Sequence, residues 1–127
     1  MIIGVGLDIM EIKRINKVWS KFGDRFIKRL LTPREQEYWR WRGSRIETLA
    51  GFWAAKEAVA KALGTGFVGF GFADIYISHD PSGRPVATLS GGAEALASQL
   101  GITHIWISIS HSLNYAVATA IAERRTN

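Results

Sequence analysis

The segment from Arg45 to Gly66 constrains this chain more than any other. It reads as one long helix, Arg45 to Leu63, stopped by Gly64, a residue suited to the turn that closes a helix. Within it Glu57 and Lys61 are four residues apart, so their side chains share one helical face. Two readings of that spacing stand side by side. It is an ordinary ion pair on a solvated face, worth about 0.2–0.5 kcal/mol. Or it is one wall of a site where the carboxylate holds a hard cation and the ammonium a phosphate.

The rest of the pattern sets that helix in a single α+β domain, since 127 residues suffice for one core and not for two. Ile2 to Asp8 is β-branched and apolar and reads as a strand, with Gly4 and Gly6 as its weak spots. Ile12, Ile15, Trp19, Phe22 and Phe26 then recur in steps of three and four, the stripe of an amphipathic helix that Gly23-Asp24 interrupts. Thr32-Pro33-Arg34-Glu35 carries an N-cap, a proline at the first helical position and a capping-box glutamate, and opens a short helix with Tyr38, Trp39 and Trp41. The four glycines between Gly64 and Gly71 predict a turning loop. Strands follow at Ala73–Ser78 and Arg84–Leu89 around the turn Asp80-Pro81-Ser82-Gly83. A helix over Gly92–Leu100 and a hairpin of Thr103–Ser110 and Tyr115–Ala122 complete the chain. The expectation is a small, mainly antiparallel sheet packed on the long helix. Trp39, Trp41, Phe67, Phe70 and Phe72 suit a core or an interface between copies equally.

Composition narrows the classes. Nearly half the residues are hydrophobic and five are tryptophan, which argues against disorder. No apolar run reaches the ~20 residues of a membrane span, and the start lacks the charged-then-apolar pattern of a secretory leader. Cysteine is absent, so disulfides and thiolate metal sites are excluded, and a cytosolic location fits. The net charge of +5 conceals an asymmetry. Between Ile12 and Ile46 eleven Lys and Arg face Asp24, Glu35 and Glu37, a local balance of +8, while the remainder sums to −3. Arg14, Lys17, Lys21, Arg25 and Lys28 follow one helical rhythm. Such a stripe is either simply solvated or addressed to a polyanion, a nucleic acid or an acidic protein.

Three segments carry more information together than singly: Gly4-Val5-Gly6-Leu7-Asp8, then Ala55-Lys56-Glu57-Ala58-x-x-Lys61 with its Gly64-Thr65-Gly66 exit, then Ile107-Ser108-Ile109-Ser110-His111. In this order, over Ile3 to about Ile121, the chain resembles the small phosphopantetheinyl transferases of the holo-[acyl-carrier-protein] synthase family. The resemblance implies transfer of 4′-phosphopantetheine from coenzyme A to a serine of an apo acyl carrier protein, in support of fatty acid biosynthesis. It implies Mg²⁺ held by Asp8 and Glu57, consistent with that ion's preference for one or two carboxylates plus substrate phosphates and water. From its position alone, Asp8 is equally an N-cap of the first helix. By the same resemblance Asp8, Glu57 and Lys61 are catalytic, and Lys61, Gly64, Thr65, Gly66, Ser110 and His111 contact coenzyme A. The acidic carrier is expected to dock on the basic first helix. Arg14 matches the family there, and Lys17, Lys21, Arg25 and Lys28 carry over by character. A homotrimer with active sites between subunits is implied as well.

One departure stands out. The family usually reads Ala-Gly-Arg-Phe-Ala before its Lys-Glu, whereas this chain has Ala50-Gly51-Phe52-Trp53-Ala54. The resemblance assigns the missing arginine to the nucleotide of coenzyme A, so either another basic residue, such as Arg45 or Arg84, covers its charge or affinity falls. Lys56, a quarter-turn from Glu57, is expected to be structural or peripheral. Ser110-His111 does not suggest a hydrolase, because adjacent strand residues face opposite ways and no acidic partner stands near in sequence. His79 and His104 are expected at the surface or in turns, with no zinc spacing. A nucleic-acid module built on the basic stripe with Tyr38, Trp39 and Trp41 leaves Asp8, Glu57 and Ser110-His111 unexplained. A non-catalytic binder of acidic proteins predicts no dependence on magnesium or coenzyme A. Neither nucleic acid nor membrane is an expected partner.

Overall fold

Gly4 and Gly6 decide how the sheet meets the long helix. In the computed structural model, which describes residues 1–126, they lie in β1 (Ile2–Glu11) against α4 (Ile46–Ala62). A Cβ on Gly4 would sit 1.9 Å from the carbonyl oxygen of Ala62, and one on Gly6 1.8 Å from that of Ala58. The two glycines are therefore the points of contact rather than the weak spots expected of them. The same face continues in small residues. Gly4, Gly6 and Asp8 pair with Ala122, Ala120 and Ala118 of β5 (Tyr115–Glu123), and α4 answers with buried Ala54, Ala55, Ala58 and Ala62.

The main sheet is antiparallel, in the order β1-β5-β4, with β4 at His104–His111. A separate hairpin pairs β2 (Ile75–His79) with β3 (Pro85–Leu89), and α5 (Gly91–Leu100) follows it. This is the α+β arrangement expected. The outer face of the main sheet is another matter. Its rows run Val5–Ile121–Trp106, Leu7–Thr119–Ser108 and Ile9–Val117–Ser110. Val5, Leu7 and Ile9 are 64, 57 and 62% exposed.

Gly23, at φ 56°, splits the expected first helix into α1 (Ile12–Phe22) and α2 (Asp24–Leu30). Ile12, Ile15 and Phe26 are buried but Phe22 is exposed, because the stripe loses register at that break. The capping box forms at the head of α3 (Pro33–Trp41). Thr32 Oγ1 accepts from the Glu35 amide at 3.2 Å, and Glu35 Oε1 accepts from the Thr32 amide at 2.8 Å.

Glu35 has a second task. Its Oε1 accepts from Lys56 Nζ at 2.7 Å and its Oε2 from the Ile77 amide at 2.7 Å. Lys56 Nζ also donates to the carbonyls of Leu30 (2.7 Å) and Phe72 (3.0 Å), so all three of its protons are used. Both side chains are fully buried. Lys56 is thus structural and central, joining α2, α3, α4, β2 and a 3₁₀ turn at Phe72–Asp74. Of the aromatic residues in question, Trp39 and Phe70 are buried and Trp41 is open to solvent. Among the described residues no helix is long and apolar enough to cross a membrane.

Candidate active site

Asp8 lies within β1, not at its end, and the strand's alternation turns it to the same face as Gly4 and Gly6, toward α4. It is no N-cap. Glu11 occupies that position for α1 and makes no side-chain cap bond. From α4, Lys61 Nζ donates to Asp8 Oδ1 at 3.2 Å and to the Leu7 carbonyl at 2.9 Å. Glu57, one turn earlier, is half-buried. Burial pushes its carboxyl above the usual carboxylate range, the charge of Asp8 adds to the rise, and Lys61 opposes it. The three residues the sequence singled out therefore meet.

Asp8 Oδ2 is buried and has no hydrogen-bond partner. A carboxylate oxygen only accepts, so an isolated buried one is costly unless a cation or a donor reaches it. With Glu57 beside it, the donor set is hard oxygen. Among the described residues no cluster of three or more histidine and carboxylate side chains forms. Magnesium takes one or two carboxylates and completes its shell with phosphate oxygens and water, so the donor set of Asp8 and Glu57 fits that ion.

Gly64 (φ 89°) and Gly66 (φ 64°) close α4 next to Lys61. Their amides donate to the carbonyls of Lys61 (2.9 Å) and Ala60 (3.3 Å), so they serve the helix cap. The Thr65 hydroxyl, exposed between them, donates to the Gly66 carbonyl at 3.0 Å.

Ser110 and His111 part company. Ser110 is on the outer sheet face, in the row of Ile9 and Val117. His111 is on the inner face and lines a pocket of about 250 Å³ with Tyr38, Arg42, Phe52 and His79. This pocket is at the β4 edge of the sheet, where Ile109 and Gly51 meet, and the carboxylates are at the β1 edge. Gly51 and Lys61 are ten residues apart on α4, or ~15 Å of helix. His79, expected at the surface, is half-buried and stacked on Tyr38 at 4.2 Å and 11°. Burial lowers its pKa, and the Arg42 charge lowers it further. Sequence reasoning missed Arg42 and His79 as partners. The only clue was the four-residue spacing of Tyr38 and Arg42.

Arg14, Lys17, Lys21, Arg25 and Lys28 are all exposed. Lys21 and Arg25, on different helices, meet over the Phe22 ring at 5.3 and 5.6 Å from its centre. An apolar hollow of about 380 Å³ lies beside them, lined by Val18, Phe26 and Trp53 with Arg29 at its rim.

Residues 4–120 match the family model described as the 4′-phosphopantetheinyl transferase superfamily. The chain belongs to that superfamily. Its relatives include holo-[acyl-carrier-protein] synthases of Clostridium novyi, 50% identical over 100% of this chain and 91% of that one, and of Vibrio cholerae, 49% identical over 98% and 100%. Among solved structures, the holo-[acyl-carrier-protein] synthase of Neisseria meningitidis superposes with a TM-score of 0.92 at 38% identity, covering 98% of this chain and all of the other. That of Helicobacter pylori, solved in complex with coenzyme A, gives 0.84 at 34% identity, covering 94% and 99%. The chain is thus a phosphopantetheinyl transferase of the holo-[acyl-carrier-protein] synthase kind, and its fold is that of this group.

Proposed function

We propose that this transferase moves the 4′-phosphopantetheine arm of coenzyme A onto a serine hydroxyl of an apo acyl carrier protein, with magnesium, releasing adenosine 3′,5′-bisphosphate. The observation that carries the magnesium dependence is the meeting of Asp8, Glu57 and Lys61 around a buried carboxylate oxygen with no partner. A magnesium ion held by Asp8 and Glu57 would neutralise charge on the diphosphate. The serine oxygen forms a bond to the pantetheine-side phosphorus as the bond to the bridging diphosphate oxygen breaks. Lys61 uses two of its three protons on Leu7 and Asp8, and the third is free to meet the phosphate as negative charge builds on the departing nucleotide. The serine proton needs an acceptor. We assign that role to Glu57, directly or through a water that the metal would acidify. A phosphate contact from the glycine turn would fall to Thr65, since the Gly64 and Gly66 amides are engaged in the cap.

The basic faces of α1 and α2 suit an acidic carrier, with Arg14, Lys17, Lys21, Arg25 and Lys28 as its contacts. The uncovered apolar face of β1 suits contact between copies, and we read the assembly as a homotrimer. In it the β1 edge of one copy, with Asp8, meets the β4 edge of the next, with His111, which accounts for the two half-sites lying apart on one chain. Ser110, facing outward, is then at the joint. We place the reaction in the cytoplasm and in fatty acid biosynthesis, as the resemblance implies.

The test is to incubate the protein with coenzyme A, Mg²⁺ and apo acyl carrier protein and to weigh the carrier. We expect the mass of one phosphopantetheine to be gained, and none with a chelator or with Asp8→Asn. Undiminished transfer by Asp8→Asn would remove the assigned metal site.

A further inference from the structure

Lys56 has no part in the proposed chemistry, yet its ammonium is buried and all three of its protons are used. Two of its acceptors are the carbonyls of Leu30 and Phe72, at 2.7 and 3.0 Å. Both of these residues line the apolar hollow of about 380 Å³ beside the basic helices. A third wall is Trp53, on α4 about one turn before Lys56. Its ring lies 4.9 Å from that of Phe72 and 6.2 Å from that of Phe26 on α2. One side chain therefore holds the end of α2 and the 3₁₀ turn against α4, and the hollow lies between these three elements.

The need for such a clamp follows from α2 itself. Its seven residues form too short a helix to be stable unaided, and Leu30 is the last of them. A carbonyl at that position has no partner within the helix, and the negative end of a helix favours a cation. Among the described residues no other hydrogen bond joins α2 to α4 or to the 3₁₀ turn. Helix α2 carries Arg25 and Lys28 of the basic stripe, with Arg29 at the rim of the hollow. Glu57 is the residue after Lys56 on α4. The hydrogen bonds of Lys56 thus tie the basic face of α2 to the helix that bears the candidate site.

We propose that Lys56 is a positioning residue for the carrier protein: by holding the Leu30 and Phe72 carbonyls it keeps the hollow and the α2 cations ready for the carrier before it binds. The inference rests on the carrier docking proposed above. Without the clamp the carrier must order α2 and the hollow as it binds, and each side chain so immobilised weakens binding.

Steady-state kinetics with carrier and coenzyme A varied in turn test this on the wild type, Glu35→Gln/Lys56→Met, Val18→Asp and Leu49→Ala. The double variant removes the clamp without leaving one charge buried alone. Val18→Asp puts a carboxylate into the wall of the hollow, and Leu49→Ala truncates a fully buried residue outside it. A shortage of folded enzyme lowers the apparent kcat and moves no KM, so KM reports position rather than stability. The double variant should raise the carrier's KM about tenfold or more, the cost of ordering a few side chains. Its KM for coenzyme A, and kcat per folded enzyme at saturating carrier, should stay at the wild-type level. Val18→Asp should raise the carrier's KM likewise, and Leu49→Ala should leave it alone. Should the double variant fail to fold, Glu35→Gln/Lys56→Gln, whose amides can bond each other, takes its place with the same expectation. A carrier KM raised by Val18→Asp and unmoved by loss of the clamp would overturn the role of Lys56 and keep the docking. So would an equal rise from Leu49→Ala. A rise from loss of the clamp with none from Val18→Asp would place the carrier away from the hollow and overturn the inference. No change from either would overturn the use of the hollow in docking as well, and would leave the transferase reading intact.

Discussion

In the magnesium role proposed for it, Glu57 would carry a negative charge in a place that resists one. Burial and the neighbouring Asp8 both raise its pKa, and Lys61 offsets only part of the rise. The folded protein therefore favours protonated Glu57. Its contribution to stability is full below the unfolded value and is lost as pH rises through the folded one. It follows that, with metal chelated, Glu57→Gln should melt above the wild type at pH 7.5, and the gap should close below the ordinary 4.5. A gap of equal size at both pH values would remove the electrostatic account. The same substitution should abolish transfer, a trade of stability for function often seen at active sites. At this scale the sequence pointed to Asp8, Glu57 and Lys61 and not to what each touches. The four-residue spacing announced Glu57 and Lys61, and alternation along β1 brought Asp8 to them. Arg42 and His79 escaped notice because they converge from the residue after α3 and from β2, segments with no local pattern in common.

Elements meet here through small residues and one buried ion pair, and each contact makes a quantitative claim. Gly6→Ala would drive a methyl group into the Ala58 carbonyl, so β1 or α4 must shift. The expected loss is about 3 kcal/mol, the upper part of the usual range for overpacking. Gly71→Ala, with nothing within 4 Å of the added carbon, is the control, expected to stay within about 1 kcal/mol of the wild type. Urea denaturation measures both, and similar values would mean that close approach is not what Gly6 provides. Lys56→Met leaves the Glu35 carboxylate buried without its partner, which costs about 3–5 kcal/mol. In the double variant with Glu35→Gln the losses should not add, because the pair acts as a unit. Helix and strand limits were legible to within a few residues, since caps and glycine turns are local chemistry. The junction at Lys56 was not. Its acceptors on Leu30, Glu35 and Phe72 come from three separate segments, and nothing in the sequence of any one of them points to the others.

At the scale of the whole molecule, the basic residues of α1 and α2 and the exposed apolar face of β1 belong to different elements. The basic α1–α2 face should govern encounter with an acidic carrier. Reversing Arg14 and Lys17 together should raise the carrier's KM about tenfold or more at low salt, leave that for coenzyme A alone, and narrow the difference as salt rises. The apolar outer face of β1 calls for a different experiment, because a trimer with shared sites has a signature no monomer can imitate. A ring of copies joined head to tail puts the Asp8 side of each subunit against the His111 side of its neighbour. Asp8→Asn and His111→Ala each cripple one side. Alone, every site in either variant carries a defect. When the two are unfolded, mixed in equal amounts and refolded, any given site has a one-in-two chance of a sound Asp8 and, independently, of a sound His111. About a quarter of the sites should then be intact, and transfer should recover to about a quarter of the wild-type rate. Sites contained within single subunits would recover nothing beyond the sum of the separate variants. That result would return both half-sites to one chain and leave the exposed Val5, Leu7 and Ile9 face in need of another partner.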